Sequence, residues 1–195
     1  MGGQNERRLQ MPGIRSVTVY CGSAPGADPA YCDLARRLGR SIARRSWRTV
    51  YGGGNVGLMG AVASAARDAG GEVIGVMPHF LRQLEGVLEG VENRYTDNMH
   101  QRKQALLDEA DGLIVLPGGI GTLEEAVETL SWAKLSLHRK PMAFLSENSY
   151  WQPFFGLIDH MIDGGFLPRS FLDLMADVAT PEAALDALQE RAIAL

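Results

Sequence analysis

The residues best placed to do chemistry in this sequence stand where an apolar run ends in glycines and restarts as a helix. Residues 113–117 are apolar, and residues 118–125 read GGIGTLEE. Glycines let the backbone turn tightly and approach a ligand closely, and the following helix directs unpaired N–H groups and its positive dipole end to the same point. The pattern predicts a strand, a loop and a helix that together bind an anion, with phosphate the best match.

The end of this loop separates some classes of site but leaves one question open. Gly121 is followed by Thr122 and Leu123, whereas a Walker A loop needs Lys-Ser or Lys-Thr there, so a kinase or NTPase is disfavoured. Thr122 to Glu125 also forms a capping box, with Thr122 as N-cap and Glu125 at N3. By itself, this box is as compatible with a plain helix cap as with a catalytic carboxylate.

Two adjacent cations, Arg102 and Lys103, are a second candidate site. They fall at the start of a predicted helix, Met99 to Ala110, for which Asn98 is the expected N-cap. Cations near a helix N-terminus oppose its dipole by roughly 0.3–1 kcal/mol each. A local rule broken twice suggests function, although two long exposed side chains could also tolerate the penalty.

Two further small-residue loops follow predicted strands, at residues 21–26 and 52–60. The second fits GxGxxG, but a dinucleotide site also needs an acidic residue at the far end of the next strand. Glu72 lies at the near end of that strand, so a nicotinamide cofactor is disfavoured. We expect both loops to form further walls of the same pocket.

Composition restricts the partners and the setting. The chain has 195 residues, 46% hydrophobic and 22% charged, with a net charge of -4, which fits one soluble domain and gives no general attraction to nucleic acid or to anionic membrane. Cys21 and Cys32 are too few for a disulfide scaffold, which favours a cytoplasmic location. The four histidines lack metal-ligand spacing, so we expect no metal.

Strands alternate with helices along the whole chain, and this order predicts the fold. We expect a Rossmann-like, doubly wound α/β fold: a mostly parallel sheet with helices on both faces, formed by residues 14–195 as a single domain. Residues 1–13 are predicted to be a flexible tail. Helices are expected over Tyr150 to Gly164 and from Pro181 to the end, and ligands should bind at the carboxyl ends of the strands.

Three motifs together resemble those of the Lonely Guy (LOG) family, the cytokinin riboside 5'-monophosphate phosphoribohydrolases. They are GGGNVGLMG at 52–60, MHQRK at 99–103 and PGGIGTLEE at 117–125, and the similarity extends over about residues 17–188. The resemblance implies a Rossmann-like fold, a homodimer, and hydrolysis of the N-glycosidic bond of a purine nucleoside 5'-monophosphate, AMP or a cytokinin-type nucleotide. It implies that no cofactor is required.

The resemblance also assigns residues. Arg102 and Glu125 match the catalytic arginine and glutamate of the family. The residues expected to bind substrate, besides these two, are Ser23, Gly53, Gly54, Glu85, Lys103, Gly118, Gly119, Ile120, Gly121, Thr122, Leu123, Glu124 and Ser131. Lys134 and Ser136 depart from the family's usual glutamine and glycine, which leaves the base preference open.

The chemistry implied by the family agrees with these residue types. Cleavage of an N-glycoside passes through an oxocarbenium-like sugar, which a carboxylate can stabilise while it positions the attacking water. A non-catalytic nucleotide-binding module is the alternative, and it would not need Arg102 and Glu125 together. A pyridoxal phosphate decarboxylase would need a Schiff-base lysine, for which Lys103 is the only lysine in the motifs.

Overall fold

The computed structural model describes residues 13–82 and 86–194. Within these ranges, seven strands and six α-helices alternate. The strands are β1 Ser16–Tyr20, β2 Arg48–Tyr51, β3 Val73–Pro78, β4 Glu92–Thr96, β5 Gly112–Val115, β6 Met142–Leu145 and β7 Met175–Val178. The helices are α1 Pro29–Arg44, α2 Gly57–Asp68, α3 Met99–Asp108, α4 Ile120–Lys134, α5 Gln152–Asp163 and α6 Pro181–Ala194.

The strands form one sheet in the order β4-β3-β2-β1-β5-β6-β7, and every neighbouring pair is parallel. The direction of winding reverses between β1 and β5, where the chain returns to the middle of the sheet. This is the switch point at which parallel α/β sheets leave a crevice for ligands. The predicted fold is confirmed, with a sheet that is wholly parallel.

Two hydrophobic clusters cover the two faces of the sheet. On one face, Leu38 of α1 and Leu188 of α6 belong to the same cluster as Val17 and Val19 of β1. On the other face, Leu106 of α3, Leu130 of α4 and Phe154 of α5 share a cluster with residues of four strands, Val50, Ile74, Leu113 and Phe144. Strands β1, β3, β5 and β6 are therefore wholly buried, as their apolar runs require, whereas the edge strand β4 is partly exposed.

The N-termini of the helices show where the local sequence pattern is sufficient to locate the start of a helix and where it is not. Asp28 caps α1 by accepting a hydrogen bond from the Ala30 N–H at 2.9 Å. Asn98 caps α3, and this cap was predicted. The capping box predicted at Thr122 is wrong, because α4 begins at Ile120 with Gly119 as an extended N-cap. Thr122 is buried in the first turn, and no side chain caps this helix start.

Other features that the sequence did not predict are a strand and a short helix near the C-terminus and the end of α4. Strand β7 and the short 3-10 helix Arg169–Leu174 before it were not predicted, since four residues that include Asp177 carry no clear strand pattern. Helix α4 ends at Lys134, and Ser136 then turns the chain at a φ of 60°. The proposed tail falls almost wholly on residues 1–12, outside the described residues. Among the described helices, none is both long and apolar enough to cross a bilayer.

Close packing of α1 on α2 yields a stability prediction at Gly39. A Cβ added there would lie 2.2 Å from the Val62 carbonyl oxygen of α2. We expect Gly39→Ala to lower the free energy of unfolding by about 1–3 kcal/mol, the usual cost of overpacking. Gly156→Ala is the control, because nothing lies within 4 Å of its added Cβ in α5 and alanine favours a helix by roughly 0.8–1 kcal/mol.

Urea denaturation of the two variants measures both effects. If Gly39→Ala were as stable as Gly156→Ala, the two helices would not approach each other as closely as described.

Candidate active site

A cavity of about 300 Å³ opens at the carboxyl ends of the central strands, beside the switch point. Its walls come from β1 and the loop after it, from the ends of β2 and the start of α2, and from α3 and α4. Its lining residues are Val19, Tyr20, Cys21, Gly22, Ser23, Gly52, Met59, Arg102, Gly119, Ile120, Gly121, Thr122 and Glu125.

Arg102 of α3 is the principal buried cation of this cavity, with 7% of its surface exposed. Its Nε donates to the Val76 carbonyl at 3.2 Å and its Nη2 to the Gly52 carbonyl at 3.3 Å. Its Nη1 donates to Glu125 Oε1 at 3.2 Å. A Cβ at Gly52 would lie 2.3 Å from Nη2, so glycine is required there for the guanidinium to fit.

Glu125 faces Arg102 from the second turn of α4, and its side chain is 11% exposed. Its backbone carbonyl accepts a hydrogen bond from Thr129 Oγ1 at 2.8 Å, and this Oγ1 also lies 3.1 Å from the Tyr20 hydroxyl. Burial raises the pKa of Tyr20 and of Cys21 well above their ordinary values. Both therefore line the cavity as neutral groups, and its charges come from Arg102 and Glu125.

Lys103, the neighbour of Arg102, points to another part of α4. Its Nζ lies 2.6 Å from Glu124 Oε1 and 2.9 Å from Glu128 Oε2. The hydrogen bond to Glu124 is the main cause of a raised Lys103 pKa. Lys103 is absent from the lining of the cavity, and its ammonium is engaged by carboxylates of the protein.

The three small-residue loops are bonded to one another around Gly22. The Gly22 N–H donates to the Pro117 carbonyl at 3.1 Å, and the Gly22 carbonyl accepts from the N–H groups of Leu58 and Met59 at 3.0 and 3.3 Å. Two amides at the start of α2 are therefore already used within the protein. The start of α4 has no side-chain cap and borders the cavity, which makes it the better place for an anion.

The structure brings together many of the residues predicted from sequence. Those that line the cavity are Ser23, Arg102, Gly119, Ile120, Gly121, Thr122 and Glu125. Gly118 lines an adjoining cavity, and Gly53 and Gly54 are buried next to the lining residue Gly52. Leu123 and Glu124 lie on α4 outside the lining, Ser131 is exposed farther along the same helix, and Glu85 falls outside the described residues.

Sequence reasoning missed wall residues outside the glycine loops. Tyr20 lines the cavity without belonging to a charged motif, and its position at the end of β1 was the available signal. Cys21 and Met59 also line the cavity, and they lie in the loops 21–26 and 52–60 that were expected to form its walls. Tyr150 was also missed, and its hydroxyl donates to the Gly118 carbonyl at 2.6 Å. It comes from the segment after β6, and only the sheet order brings that segment beside the loop.

Within the described residues, no group of three or more histidine, cysteine, aspartate or glutamate side chains could hold a metal ion. The arrangement consists of a buried cation–carboxylate pair beside a free helix N-terminus. It can bind an anion at one end and stabilise developing positive charge a short distance away.

Comparison with known proteins agrees with the motifs. The profile of a family described as "Possible lysine decarboxylase" matches residues 59–188. The cytokinin riboside 5'-monophosphate phosphoribohydrolase of Rhodococcoides fascians is 45% identical over 158 residues, 80% of each chain. The rice (Oryza sativa subsp. japonica) cytokinin riboside 5'-monophosphate phosphoribohydrolase LOG is 40% identical over 95% of this chain and 76% of its own.

Solved structures show the same fold at lower identity. The molybdenum cofactor binding protein of Rippkaea orientalis is 23% identical, with a TM-score of 0.69 over 90% of this chain and 95% of its own. The Moco carrier protein of Chlamydomonas reinhardtii is 22% identical, with a TM-score of 0.69 over 92% and 98%. At these identities the likeness concerns the Rossmann-like fold alone. The sequence matches show more, and the chain belongs to the Lonely Guy family of cytokinin riboside 5'-monophosphate phosphoribohydrolases.

Proposed function

We propose that this protein is a phosphoribohydrolase that cleaves the N-glycosidic bond of purine nucleoside 5'-monophosphates and releases the free base and ribose 5-phosphate. The observation that carries the proposal is the buried Arg102–Glu125 pair, 3.2 Å apart, in the wall of a cavity that also contains the uncapped start of α4. The family membership supports it, since relatives at 38–45% identity carry this activity in their names.

The geometry suggests how the parts divide the work. The 5'-phosphate binds the N–H groups at the start of α4, between Ile120 and Thr122, where the helix dipole favours negative charge. This places the sugar over Glu125, one turn farther along the helix. As the bond from C1' to the base nitrogen breaks, the carboxylate stabilises the cationic sugar and orients a water molecule towards C1'.

The reaction needs no reactant other than the substrate and water. Water contributes its hydroxyl to C1' of ribose 5-phosphate, and the departing base gains a proton. Arg102 holds Glu125 in place and can donate to a substrate oxygen, because its guanidinium lines the same cavity. A buried, preorganised pair of this kind needs little rearrangement as charge develops in the transition state.

Two alternatives fit the site less well. A non-catalytic nucleotide-binding module would use the glycine loops, but it has no need of a charge pair whose burial carries a large desolvation cost. A pyridoxal phosphate decarboxylase needs a lysine in the cavity; none is among its described lining residues, and Lys103 is bound to Glu124 and Glu128. Chromatographic detection of adenine after incubation with AMP and EDTA separates these possibilities.

The base preference belongs to the same proposal. The names of the relatives specify cytokinin riboside 5'-monophosphates, and we extend this class, adenine nucleotides with or without an N6-isoprenoid group, to the present chain. Lys134 and Ser136, which depart from the family pattern, lie exposed at the far end of α4. A kinetic panel of AMP, isopentenyl-AMP, GMP and CMP measures the preference, and equal turnover of CMP would contradict the purine assignment.

A homodimer is also part of the proposal. Several apolar side chains on α4, on α5 and just after each of these helices are exposed. Val127, Leu135, Leu137, Leu157 and Phe166 are each 46–81% exposed. Such a surface supports association between copies. Light scattering should give about twice 21.2 kDa, and a particle of 21.2 kDa at micromolar concentration would contradict the dimer.

Cys21 and Cys32, both free thiols, support the further proposal of a cytoplasmic location.

The anion site predicts a strong dependence on the 5'-phosphate. If the start of α4 binds phosphate, part of that binding energy is used to align the sugar and should appear in the rate. We therefore expect kcat/KM for adenosine to fall below that for AMP by about a hundredfold or more, roughly 2.7 kcal/mol. Comparable turnover of the two compounds in the same assay would show that the loop does not bind phosphate.

Replacement of Glu125 tests the catalytic assignment. Glu125→Gln keeps the shape and an oxygen acceptor for Arg102 but removes the charge that stabilises the sugar cation. We expect kcat to fall by about 10²–10³-fold, or roughly 2.7–4 kcal/mol, by analogy with the loss of one preorganised electrostatic group. Steady-state kinetics with AMP provides the measurement, and circular dichroism checks that the variant is folded.

Glu124→Gln is the matched control for this experiment. The same substitution is made one residue away, on a half-exposed side chain that does not line the cavity. We expect less than about a threefold change, since Glu128 still holds Lys103 and successive helical residues diverge by about 100°. An equal loss in both variants would remove the assignment of Glu125.

A further inference from the structure

Lys103 is a charged group of the motifs that the proposed mechanism leaves without a role. Its side chain is 15% exposed, and it bonds to Glu124 and Glu128, which lie one turn apart on the same face of α4. Arg102, the preceding residue, bonds to Glu125 on the adjoining face. Two consecutive residues of α3 thus hold three carboxylates within five residues of α4.

We propose that Lys103 is a positioning residue: it clamps α4 against α3 through Glu124 and Glu128, and so fixes the rotation of α4 that presents Glu125 to the substrate. This inference rests on the proposed function for the meaning of its kinetic readout. It assigns to Lys103 a role different from the direct substrate contact that the family resemblance implies.

The packing around these residues explains why a clamp is needed. The buried side chains of α3 are Arg102, Leu106 and Leu107, so its apolar anchors lie a full turn beyond the residues that meet Glu125. On α4, the buried side chains are Thr122, Ala126, Thr129 and Leu130, so those nearest Glu125 are small and the larger Leu130 lies more than a turn away. The polar contacts of Arg102 and Lys103 therefore set the relation of the two helices where apolar packing is thin.

The negative charges of α4 are a second reason why a clamp is needed. Glu124, Glu125 and Glu128 place three negative groups on little more than one turn, and like charges at such spacing repel each other. Lys103 offsets the negative charge of Glu124 and Glu128, which lie on its own face, so that Arg102 is left to pair with Glu125. Because the Lys103 side chain is largely buried, its two ion pairs are screened less by solvent than exposed surface pairs are.

Kinetics of three variants distinguishes positioning from substrate contact. Lys103→Met removes the clamp from α3, and the double variant Glu124→Gln/Glu128→Gln removes it from α4 while the lysine is kept. We expect kcat for AMP to fall by about 10–100-fold in both, the effect of misplacing a catalytic group by a fraction of an ångström to 1 Å, with KM changed by less than about threefold. Lys103→Arg, which can bond to both carboxylates, should recover most of kcat.

The opposite pattern overturns the proposal. If Lys103→Met raised KM while kcat held, and the double glutamine variant kept full activity, Lys103 would contact the substrate directly. If the wild-type protein released no adenine from AMP, the proposed function would fail by itself. A crystal structure of Lys103→Met would then test the clamp: we expect the 3.2 Å contact between Arg102 Nη1 and Glu125 Oε1 to be lost, and an unchanged contact would refute it.

Discussion

The buried pair of Arg102 and Glu125 is the interaction on which the rest of the site depends. Removing two charges from water is costly, and the pair persists only because each partner is held in good geometry. For Arg102, the carbonyls of Gly52 and Val76 supply two further acceptors. For Glu125, the backbone is tied through Thr129 towards Tyr20 of the central strand. The protein therefore holds a buried carboxylate in a fixed position in the cavity wall.

The topology of the sheet brings these parts together. Arg102 follows β4 at one edge of the sheet, and Glu125 follows β5 beyond the switch point, yet they meet because α3 and α4 cover the same face. Gly22, after β1, bonds to both neighbouring loops. A Cβ at Gly57 would lie 2.3 Å from the Ser23 carbonyl oxygen, so the loops approach too closely for any larger residue. The Arg102–Glu125 pair, the proposed anion site and the cavity all lie at one point of the winding.

Much of this was predictable from the sequence, and the failures have physical causes. Alternation of apolar runs with capped helices was sufficient for the fold, since Asp28 and Asn98 each act through local bonds. The start of α4 was misplaced because Thr122 fits a capping box, whereas the helix begins earlier, at Ile120. Tyr150 and Lys103 could not be assigned from local pattern, because their contacts with Gly118 and with Glu128 join segments distant in sequence.

A crystal structure of the Glu125→Gln variant with AMP bound tests the central claim most directly, since slow turnover allows the intact nucleotide to be seen. We expect the phosphate to lie against the backbone N–H groups of residues 120–122. We also expect C1' of the ribose to lie within about 4 Å of the side chain at position 125, close to the contact distance of a reacting group. Arg102 is expected to keep its present position between Gly52 and Val76. A nucleotide whose phosphate lay elsewhere, or whose C1' was remote from position 125, would contradict the account.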